Sequence, residues 1–252
     1  MADDIGDRFK AYERCWDFTL PRRMPMVIRV DGRGFHGLKL QKPFDYDFFS
    51  VMAHTATALC KEIQGAVLAY FQSDEISIVA RDDMQPNTEA WLGKRLSKVL
   101  SLSAATATEA FNERAWAVWG WQQFDARAFV LPDLSEVTNY LIWRQQDATR
   151  NSVSMAAHAE FSHKSLHGVN SKGMIDRLRA AGKPWEEIPA RFKRGAVCRP
   201  VIVRKVVEAI GVECERREWQ IDEEPPIFTA DRAYIEALYR MPESSTTDSR
   251  KA

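Results

Sequence analysis

The chain has 252 residues, 45% of them hydrophobic, which is enough for one large domain, or a domain with an appendage, around a substantial core. Its 35 Lys and Arg residues balance 35 Asp and Glu residues, which excludes a global basic field, so any nucleic-acid contact must come from local clusters. The 4 cysteines lack CxxC spacing and no apolar run approaches membrane-spanning length, so we expect a soluble cytoplasmic protein with free thiols and no membrane contact.

The predicted elements alternate between strands and helices in chain order. Periodic apolar residues predict helices over residues 7–18, 45–63, 89–111 and 135–161. Short apolar runs bounded by polar residues or proline predict strands over residues 26–30, 66–71, 76–80 and 124–131. From residue 26 to residue 131 the order is therefore βαββαβ, which predicts an α+β fold with an antiparallel sheet, the ferredoxin-like split core of a polymerase palm.

This order divides the chain into three predicted segments. Residues 1–135 form a palm-like core, and residues 136–242 form a helical and irregular C-terminal extension. Beyond Lys164 the prolines predict short elements only. Residues 243–252 are polar, and we expect them to be a disordered tail.

Three acidic residues lie at the ends of the predicted strands. Asp31 ends the first strand, and Asp74 and Glu75 lie at the tip of the hairpin between the second and third strands. In the split βαβ order the first and third strands are antiparallel neighbours, so these acids converge at one edge of the sheet. Carboxylates and the nearby carbonyl of Gly32 are the hard oxygen ligands that Mg²⁺ prefers. The pattern predicts a site for two magnesium ions and phosphoryl chemistry.

Two other polar groups have weaker interpretations. Lys94, Arg95 and Lys98 are most simply a solvated helix face. They also lie near a helix N-terminus, where the dipole disfavours cations, so a bound anion that offsets their charge is the alternative interpretation. Of His158, His163 and His167, only the last two share helical spacing, and no cysteine lies close, so we predict no zinc site there.

Six sequence blocks resemble the tRNA-His guanylyltransferase family, in particular its bacterial and archaeal guanylyltransferase-like branch. The blocks run in order from about residue 7 to about residue 199, and they are RVDGRGFH, KPFD, YFQSDEIS, FDARAF, NYLIWRQQDATRNS and FKRG. The resemblance implies a magnesium-dependent, template-directed polymerase that adds nucleotides in the 3′ to 5′ direction at the 5′ end of tRNA. ATP first adenylylates a 5′-monophosphate, and the 3′-hydroxyl of an incoming nucleotide, usually GTP, then displaces AMP. A homotetramer is also implied.

The resemblance also assigns roles to residues. Asp31 and Asp74 match catalytic ligands of both magnesium ions, Gly32 matches a backbone ligand of the metal, and Glu75 matches a supporting catalytic acid. The positions that match nucleotide-binding residues are Gly32, Arg33, Gly34, Phe35, His36, Lys42, Asp45, Ser73, Arg95, Ser97, Lys98 and Arg127. The positions assigned to RNA are Asn151, Lys193 and Arg194. The extension over residues 136–242 is expected to contact tRNA and oligomer partners.

One departure from the family pattern bears on the substrate. In the eukaryotic enzymes the WRQ-x-D block continues into a His-Ile-Asn-Asn signature associated with choosing tRNA-His, whereas this chain has Thr149 in place of the histidine. We therefore expect repair of 5′-truncated tRNAs, with G addition to tRNA-His as a further activity. Two alternatives remain open at this point: a palm-type nucleotide cyclase that needs no RNA, and a catalytically idle tRNA-binding module.

Overall fold

The computed structural model of the protein describes residues 4–207 and 212–241, and within them the fold is α+β, as the sequence predicts. The helices are α1 (Ile5–Arg14), α2 (Tyr46–Glu62), α3 (Leu96–Trp119), α4 (Leu134–Glu160), α5 (His163–Leu166), α6 (Ser171–Ala180), α7 (Ala190–Arg194) and α8 (Arg232–Arg240). The strands are β1 (Met26–Gly32), β2 (Ala66–Gln72), β3 (Glu75–Ala80), β4 (Phe124–Val130), β5 (Ala196–Val207) and β6 (Val212–Asp222). Among these helices, none is long and apolar enough to cross a membrane.

The six strands form one antiparallel sheet in the order β4-β1-β3-β2-β5-β6. The predicted pairing of the first and third strands is confirmed, with Met26 opposite Ala80 at one end and Asp31 opposite Glu75 at the other. On its other side β1 pairs with β4, and Asp31 lies opposite Asp125. The register therefore brings the acids of β1 and of the hairpin to the same end of the sheet.

The two faces of the sheet are covered by different helices. The side chains of Ile28 and Val30 pack with α2 and α3 on one face, whereas Val27 packs with α4 and α8 on the other. Because successive side chains of a strand point to opposite faces, Arg29 and Asp31 share the α4 face with Val27. The charged residues of β1 thus lie under α4.

The C-terminal region contains more sheet than we predicted. Instead of short elements only, residues beyond Lys164 include two long strands, β5 and β6, which extend the sheet of the predicted core. Pro200 lies within β5, but β5 pairs with β2 only as far as Cys198. Pro200 therefore falls where the strand has a single neighbour, and there a missing N–H is tolerated. The predicted tail over residues 243–252 lies outside the described residues, and the division at residue 135 stays a prediction.

The predicted helix over residues 89–111 starts late and ends late in the structure. It starts late because residues 92–94 all have positive φ. This turn buries Lys94, whose ammonium donates to the carbonyls of Pro21 and Met24 at 3.0 and 2.7 Å. It also donates to the Asp82 carboxylate at 2.8 Å. Burial acts to raise the pKa of Asp82, but hydrogen bonds from Lys94 and Arg23 outweigh it and lower that pKa. Both interpretations of Lys94, as a solvated helix face or as part of an anion site, are therefore wrong.

We expect Lys94→Met to lower the free energy of unfolding by about 3 kcal/mol, because it removes the buried cation of Asp82 and leaves that carboxylate with the half-exposed Arg22 at 3.2 Å. Denaturant unfolding measures the change. The control is Lys172→Met on the exposed surface of α6, which should shift stability by less than about 0.5 kcal/mol. Equal effects of the two substitutions would contradict the role assigned to Lys94.

Candidate functional site

The three predicted acids meet at the end of the β1–β3 pair. The amide of Gly32 donates to the carbonyl of Asp74 at 3.1 Å, which ties the end of β1 to the hairpin loop. Ser73 and Asp74 form this two-residue loop, and Ser73 has a φ of 50°, a left-handed conformation that costs about 1 to 3 kcal/mol. The strained loop holds Asp74 beside Asp31.

The sequence after Asp31 is constrained by packing. A Cβ at position 32 would lie 2.5 Å from the ring of Phe35, which is buried among Phe48, Phe111 and Phe124. Glycine is therefore the residue that this close approach permits at position 32. The Phe35 cluster fixes the backbone that follows the first carboxylate.

Burial dominates the electrostatics of the carboxylates. It raises the pKa of Asp31, and the Asp125 carboxylate raises it further against the opposing effect of nearby arginines. Burial also raises the pKa of Asp74, although a hydrogen bond from Ser73 acts to lower it. Neither carboxylate is in an ion pair with a residue that the structure describes. The burial of the two acids is therefore not offset by an ion pair with a described residue.

Glu75 differs from the other two acids because it has a partner. Arg144 of α4 donates to both of its carboxylate oxygens, at 2.7 and 2.8 Å, and both side chains are largely buried. Burial still leaves the pKa of Glu75 above its usual value, with Arg144 acting to lower it. We judge from the bidentate geometry that Glu75 is ionised at neutral pH and is a support for the site rather than a free ligand.

Two clefts open on either side of the hairpin loop. The acidic cleft, of about 580 Å³, is lined by Asp31, Lys42, Pro43, Gln72, Ser73, Asp74, Glu75, Arg144, Asp147, Asn151, Ser154, Met155, His158 and Ala159. The aromatic cleft, of about 460 Å³, is lined by the rings of Phe44, Phe49, Phe71 and Phe192. Residues that line both clefts include Lys42, Ser73, Asp74, Asn151 and Met155. The shared residues place a polar and an apolar compartment side by side at Asp74.

The structure brings half of the predicted site residues to these clefts. The predicted residues that line one or both of them are Asp31, Phe35, His36, Lys42, Asp45, Ser73, Asp74, Glu75 and Asn151. Asp45 also caps α2, because its carboxylate accepts from the amides of Phe48 and Gln41, each at 2.9 Å. Gly32, Arg33 and Gly34 lie next to the clefts in sequence without lining them, and Arg33 is exposed beside Gln123.

The basic residues at the start of α3 are at the other end of the sheet. Leu96 donates to the carbonyl of Phe18, and the adjoining Lys94 reaches Asp82, two residues beyond the end of β3. The strand pair between this end and the acids is about 17 Å long. Arg95, Ser97 and Lys98 therefore line neither cleft, and Arg95 is paired with Asp17. Their nucleotide role stays a prediction.

The two basic residues of α7 make internal contacts. The Lys193 ammonium donates to the carbonyl of Glu186 at 2.6 Å and lies over the ring of Trp185. Arg194 donates to the carbonyl of Pro225 at 2.7 Å. These contacts fix the position of α7 against the aromatic cleft. The RNA-binding role of both residues stays a prediction, and the structure gives each a structural role as well.

One face of α4 supplies residues that the sequence analysis did not assign to the site. Arg144, Asp147, Ser154, Met155 and His158 recur every three or four positions, together with Asn151, and all of them line the acidic cleft. Their mostly polar character at helical spacing was a signal available in the sequence. From α7, Arg191 and Phe192 line the aromatic cleft, and the Phe192 ring stacks on Phe44 at 4.9 Å.

The donor set fits magnesium. Within the described residues no group of three His, Cys, Asp or Glu side chains is arranged to hold a metal. Magnesium, however, is commonly bound through one or two carboxylates, with phosphate oxygens and waters completing an octahedron. Asp31 and Asp74 line the acidic cleft together and supply two such carboxylates, whereas the role of the Gly32 carbonyl as a ligand stays a prediction.

Comparisons with known proteins identify similar sequences and structures. The family model described as tRNAHis guanylyltransferase matches residues 6–132. A solved bacterial tRNA(His) guanylyltransferase (Thg1)-like protein in complex with ATP is 40% identical, with a TM-score of 0.85, and the match covers 94% of this chain and 100% of that one. A second structure, in complex with GTP, is 39% identical with a TM-score of 0.82, covering 95% and 100%. The probable tRNA(His) guanylyltransferase of Drosophila melanogaster is 28% identical over 218 residues, 78% of this chain and 73% of that relative.

Proposed function

Because the chain belongs to the tRNA-His guanylyltransferase family and is a nucleotidyltransferase, we propose that it adds nucleotides to the 5′ end of tRNA by a magnesium-dependent, template-directed 3′ to 5′ reaction. The observation that carries this proposal is the meeting of Asp31 and Asp74 at the junction of the two clefts. Two carboxylates that make no ion pair with a described residue, at a sheet end beside space for two substrates, suit the transfer of a nucleotidyl group.

We assign the nucleoside to the aromatic cleft. Its phenylalanine rings provide apolar and stacking surface for a base, and Lys42 places a point charge between the two clefts. The similar bacterial structures are complexes with ATP and with GTP, which supports these two nucleotides as substrates here. The polyphosphate would then extend from the aromatic cleft toward Asp74.

We assign the 5′ end of the RNA to the acidic cleft, opposite the nucleotide. Asp31, Asp74 and the carbonyl of Gly32 would hold the magnesium ions, and Arg144 fixes Glu75 beside them. When bound, the two ions would activate the attacking oxygen and neutralise charge that develops on the phosphates. The side chain of Asn151, which faces both clefts, is placed to orient the two substrates against each other.

The proposed RNA substrate is a tRNA that lacks its first nucleotides. Thr149 occupies the position of the family histidine, and its hydroxyl donates to the carbonyl of Gln145 in the same helix at 2.9 Å. A threonine hydroxyl cannot make the contacts of an imidazole, so we do not expect this position to select tRNA-His alone. We include G addition to tRNA-His as a second activity, and a homotetramer as the assembly.

Magnesium should stabilise the folded protein through the two acids. At one hundred times its Kd, a ligand that binds only the native state adds about 2.7 kcal/mol, which raises the Tm of a chain of this size by roughly 5 to 11 °C. We expect this Tm shift in the intact protein and not in the double variant Asp31→Asn/Asp74→Asn.

The magnesium effect should also depend on pH. Because the pKa values of Asp31 and Asp74 are raised, protons should displace the metal at a higher pH than they would from ordinary aspartates. Thermal unfolding with Mg²⁺ or with a chelator, repeated from neutral to acid pH, measures both effects. An equal shift in the double variant would place the metal elsewhere.

An extension assay tests the proposed function. The protein is given a 5′-monophosphorylated tRNA lacking its first nucleotide, together with ATP, GTP and Mg²⁺, in parallel for tRNA-His and several other species. We expect extension that depends on ATP when the end is a monophosphate. Cyclic nucleotide formed without RNA would instead indicate a cyclase. Tight tRNA binding without transfer, unchanged by chelation, would indicate an idle binding module.

A further inference from the structure

A pair of arginines lies next to the acids along strands β1 and β4, on the α4 face of the sheet. Arg29 of β1 is opposite Arg127 of β4, just as Asp31 is opposite Asp125. Register partners on neighbouring strands point to the same face with Cβ atoms about 5 Å apart. Two guanidinium groups therefore share one face beside Asp31.

The carboxylates near this arginine pair are too few to accept from all of its N–H donors. Like charges directly opposite each other destabilise a sheet, so an isolated arginine pair is unfavourable. Among the described residues, the ion pair of Arg127 is with Asp125, at 3.8 Å, and that of Arg29 is with Glu75, at 3.9 Å. Glu75 already receives both of its short hydrogen bonds from Arg144. The anions nearby do not saturate the donors of the two guanidinium groups.

Arg29 also has an unused donor that is out of reach of bulk water. Its Nε is buried and has no hydrogen-bond partner among the residues that the structure describes. An unpaired buried N–H is costly, and it is often an indication of a ligand or an ordered water. The side chain of Arg127 is 54% exposed, so the pair is open to solvent on the β4 side.

The position of the pair relates it to the reacting centre. Arg29 and Arg127 lie two residues from Asp31 and Asp125 in the paired strands β1 and β4. Nearby, Trp143 presents a half-exposed ring, with the Arg144 guanidinium 4.5 Å from its centroid. A planar guanidinium fork matches the oxygens of a phosphate group, which is the anion that both proposed substrates carry.

We propose that Arg29, together with Arg127, binds a phosphate group of a substrate on the α4 face beside Asp31. Arg127 already has a predicted nucleotide role, whereas Arg29 enters the site only through this geometry. The ligand is either the 5′-phosphate of the RNA or the polyphosphate of a nucleotide, and its identification as a substrate rests on the proposed function. Bound there, the phosphate would satisfy Arg29 and hold the reacting end near the carboxylates.

The test is equilibrium binding in the presence of a chelator, so that neither metal nor turnover contributes. The probes are an RNA hairpin with a 5′-monophosphate, the same hairpin with a 5′-hydroxyl, and inorganic tripolyphosphate. The variants are Arg29→Met and Arg29→Lys, which keeps the charge and loses the fork. The control is Arg240→Met, which removes an exposed guanidinium from α8.

We expect Arg29→Met to weaken one phosphate probe by about tenfold or more, the effect of losing a charged hydrogen bond, and to leave the 5′-hydroxyl hairpin unchanged. Loss confined to the phosphorylated hairpin identifies the RNA end as the ligand. Loss confined to tripolyphosphate identifies the nucleotide. If Arg29→Met does not fold, Arg29→Lys decides by the same comparison.

Three outcomes would overturn the inference: unchanged binding of both phosphate probes, an equal loss with the 5′-hydroxyl hairpin, or the same loss in Arg240→Met. The result of this binding test can be distinguished from the result of the extension assay that tests the proposed function. Loss of phosphate binding in a protein that extends no RNA refutes only the polymerase proposal. Extension by the intact protein, with phosphate binding unaffected by Arg29→Met, refutes only the role of Arg29.

Discussion

Asp31→Asn and Asp74→Asn are each expected to lower nucleotidyl transfer by at least about a thousandfold, which corresponds to about 4 kcal/mol of lost transition-state stabilisation. Asparagine keeps the size of the side chain and removes the negative charge that the metal requires. Single-turnover extension of a 5′-truncated tRNA measures the loss without a contribution from product release. The matched control is Asp176→Asn on the exposed surface of α6, which should retain full activity.

The same substitutions should not reduce stability. The pKa values of Asp31 and Asp74 are raised in the folded state, so their stabilising contribution is complete below the ordinary aspartate pKa and is lost as the pH rises through the raised value. At neutral pH the fold therefore holds two unfavourable charges. In the absence of metal, the asparagine variants should have a Tm equal to or above that of the intact protein. Inactivity accompanied by unfolding would contradict this account.

Arg144→Met should destabilise the protein by about 3 kcal/mol or more, because it removes both short hydrogen bonds of the buried Glu75 carboxylate and leaves it with Arg29, 3.9 Å away. Arg144 is 7% exposed and Glu75 is 11% exposed, so solvent screens the pair little. In a chain of this size the loss corresponds to a fall in Tm of roughly 6 to 20 °C. Denaturant and thermal unfolding both measure it.

Two further variants make this prediction specific to the pair. Adding Glu75→Gln to Arg144→Met removes the orphaned charge and should restore much of the lost stability. Arg150→Met is the matched control, since Arg150 also pairs with Asp147 but is 56% exposed, and it should cost less than about 1 kcal/mol. Similar losses for the two arginines, or no recovery in the double variant, would show that the Arg144 pair is not what holds this part of the site.

Local patterns were enough to predict the core of the fold. The order of elements from β1 to β4, the antiparallel β1–β3 pair and the convergence of Asp31, Asp74 and Glu75 are all present in the structure. They were predictable because a strand's side-chain period and a two-residue hairpin act over short distances in the chain. The family assignment followed from blocks that surround these same elements.

What could not be predicted depends on contacts between distant segments. The burial of Lys94 requires Pro21, Met24 and Asp82 to meet it, and nothing in its own helix neighbourhood indicates this. Pro200 hides β5 in the sequence, because a proline usually breaks a strand. Only the sheet order shows that Pro200 lies in a part of β5 that pairs with β6 and not with β2.

The basic residues at the start of α3 illustrate the same limit for function. Arg95, Ser97 and Lys98 were grouped with the acids on the strength of the family resemblance. Within one chain, the length of the β1–β3 pair separates them from the carboxylates. Conversely, Arg191 reaches the aromatic cleft through packing of the short helix α7 that its own sequence surroundings do not specify, whereas the polar spacing along α4 does indicate Arg144.

The most direct test of the central claim is the identity of the nucleotide added to a truncated tRNA. The protein, Mg²⁺ and ATP are combined with a 5′-monophosphorylated tRNA lacking its first nucleotide, each of the four nucleoside triphosphates is supplied in turn, and the product is analysed by mass spectrometry. The account predicts addition at the 5′ end, only of the nucleotide complementary to the opposing base of the 3′ strand, and loss of the product in Asp74→Asn. Absence of product on every tRNA, addition at the 3′ end, or addition regardless of the opposing base would contradict it.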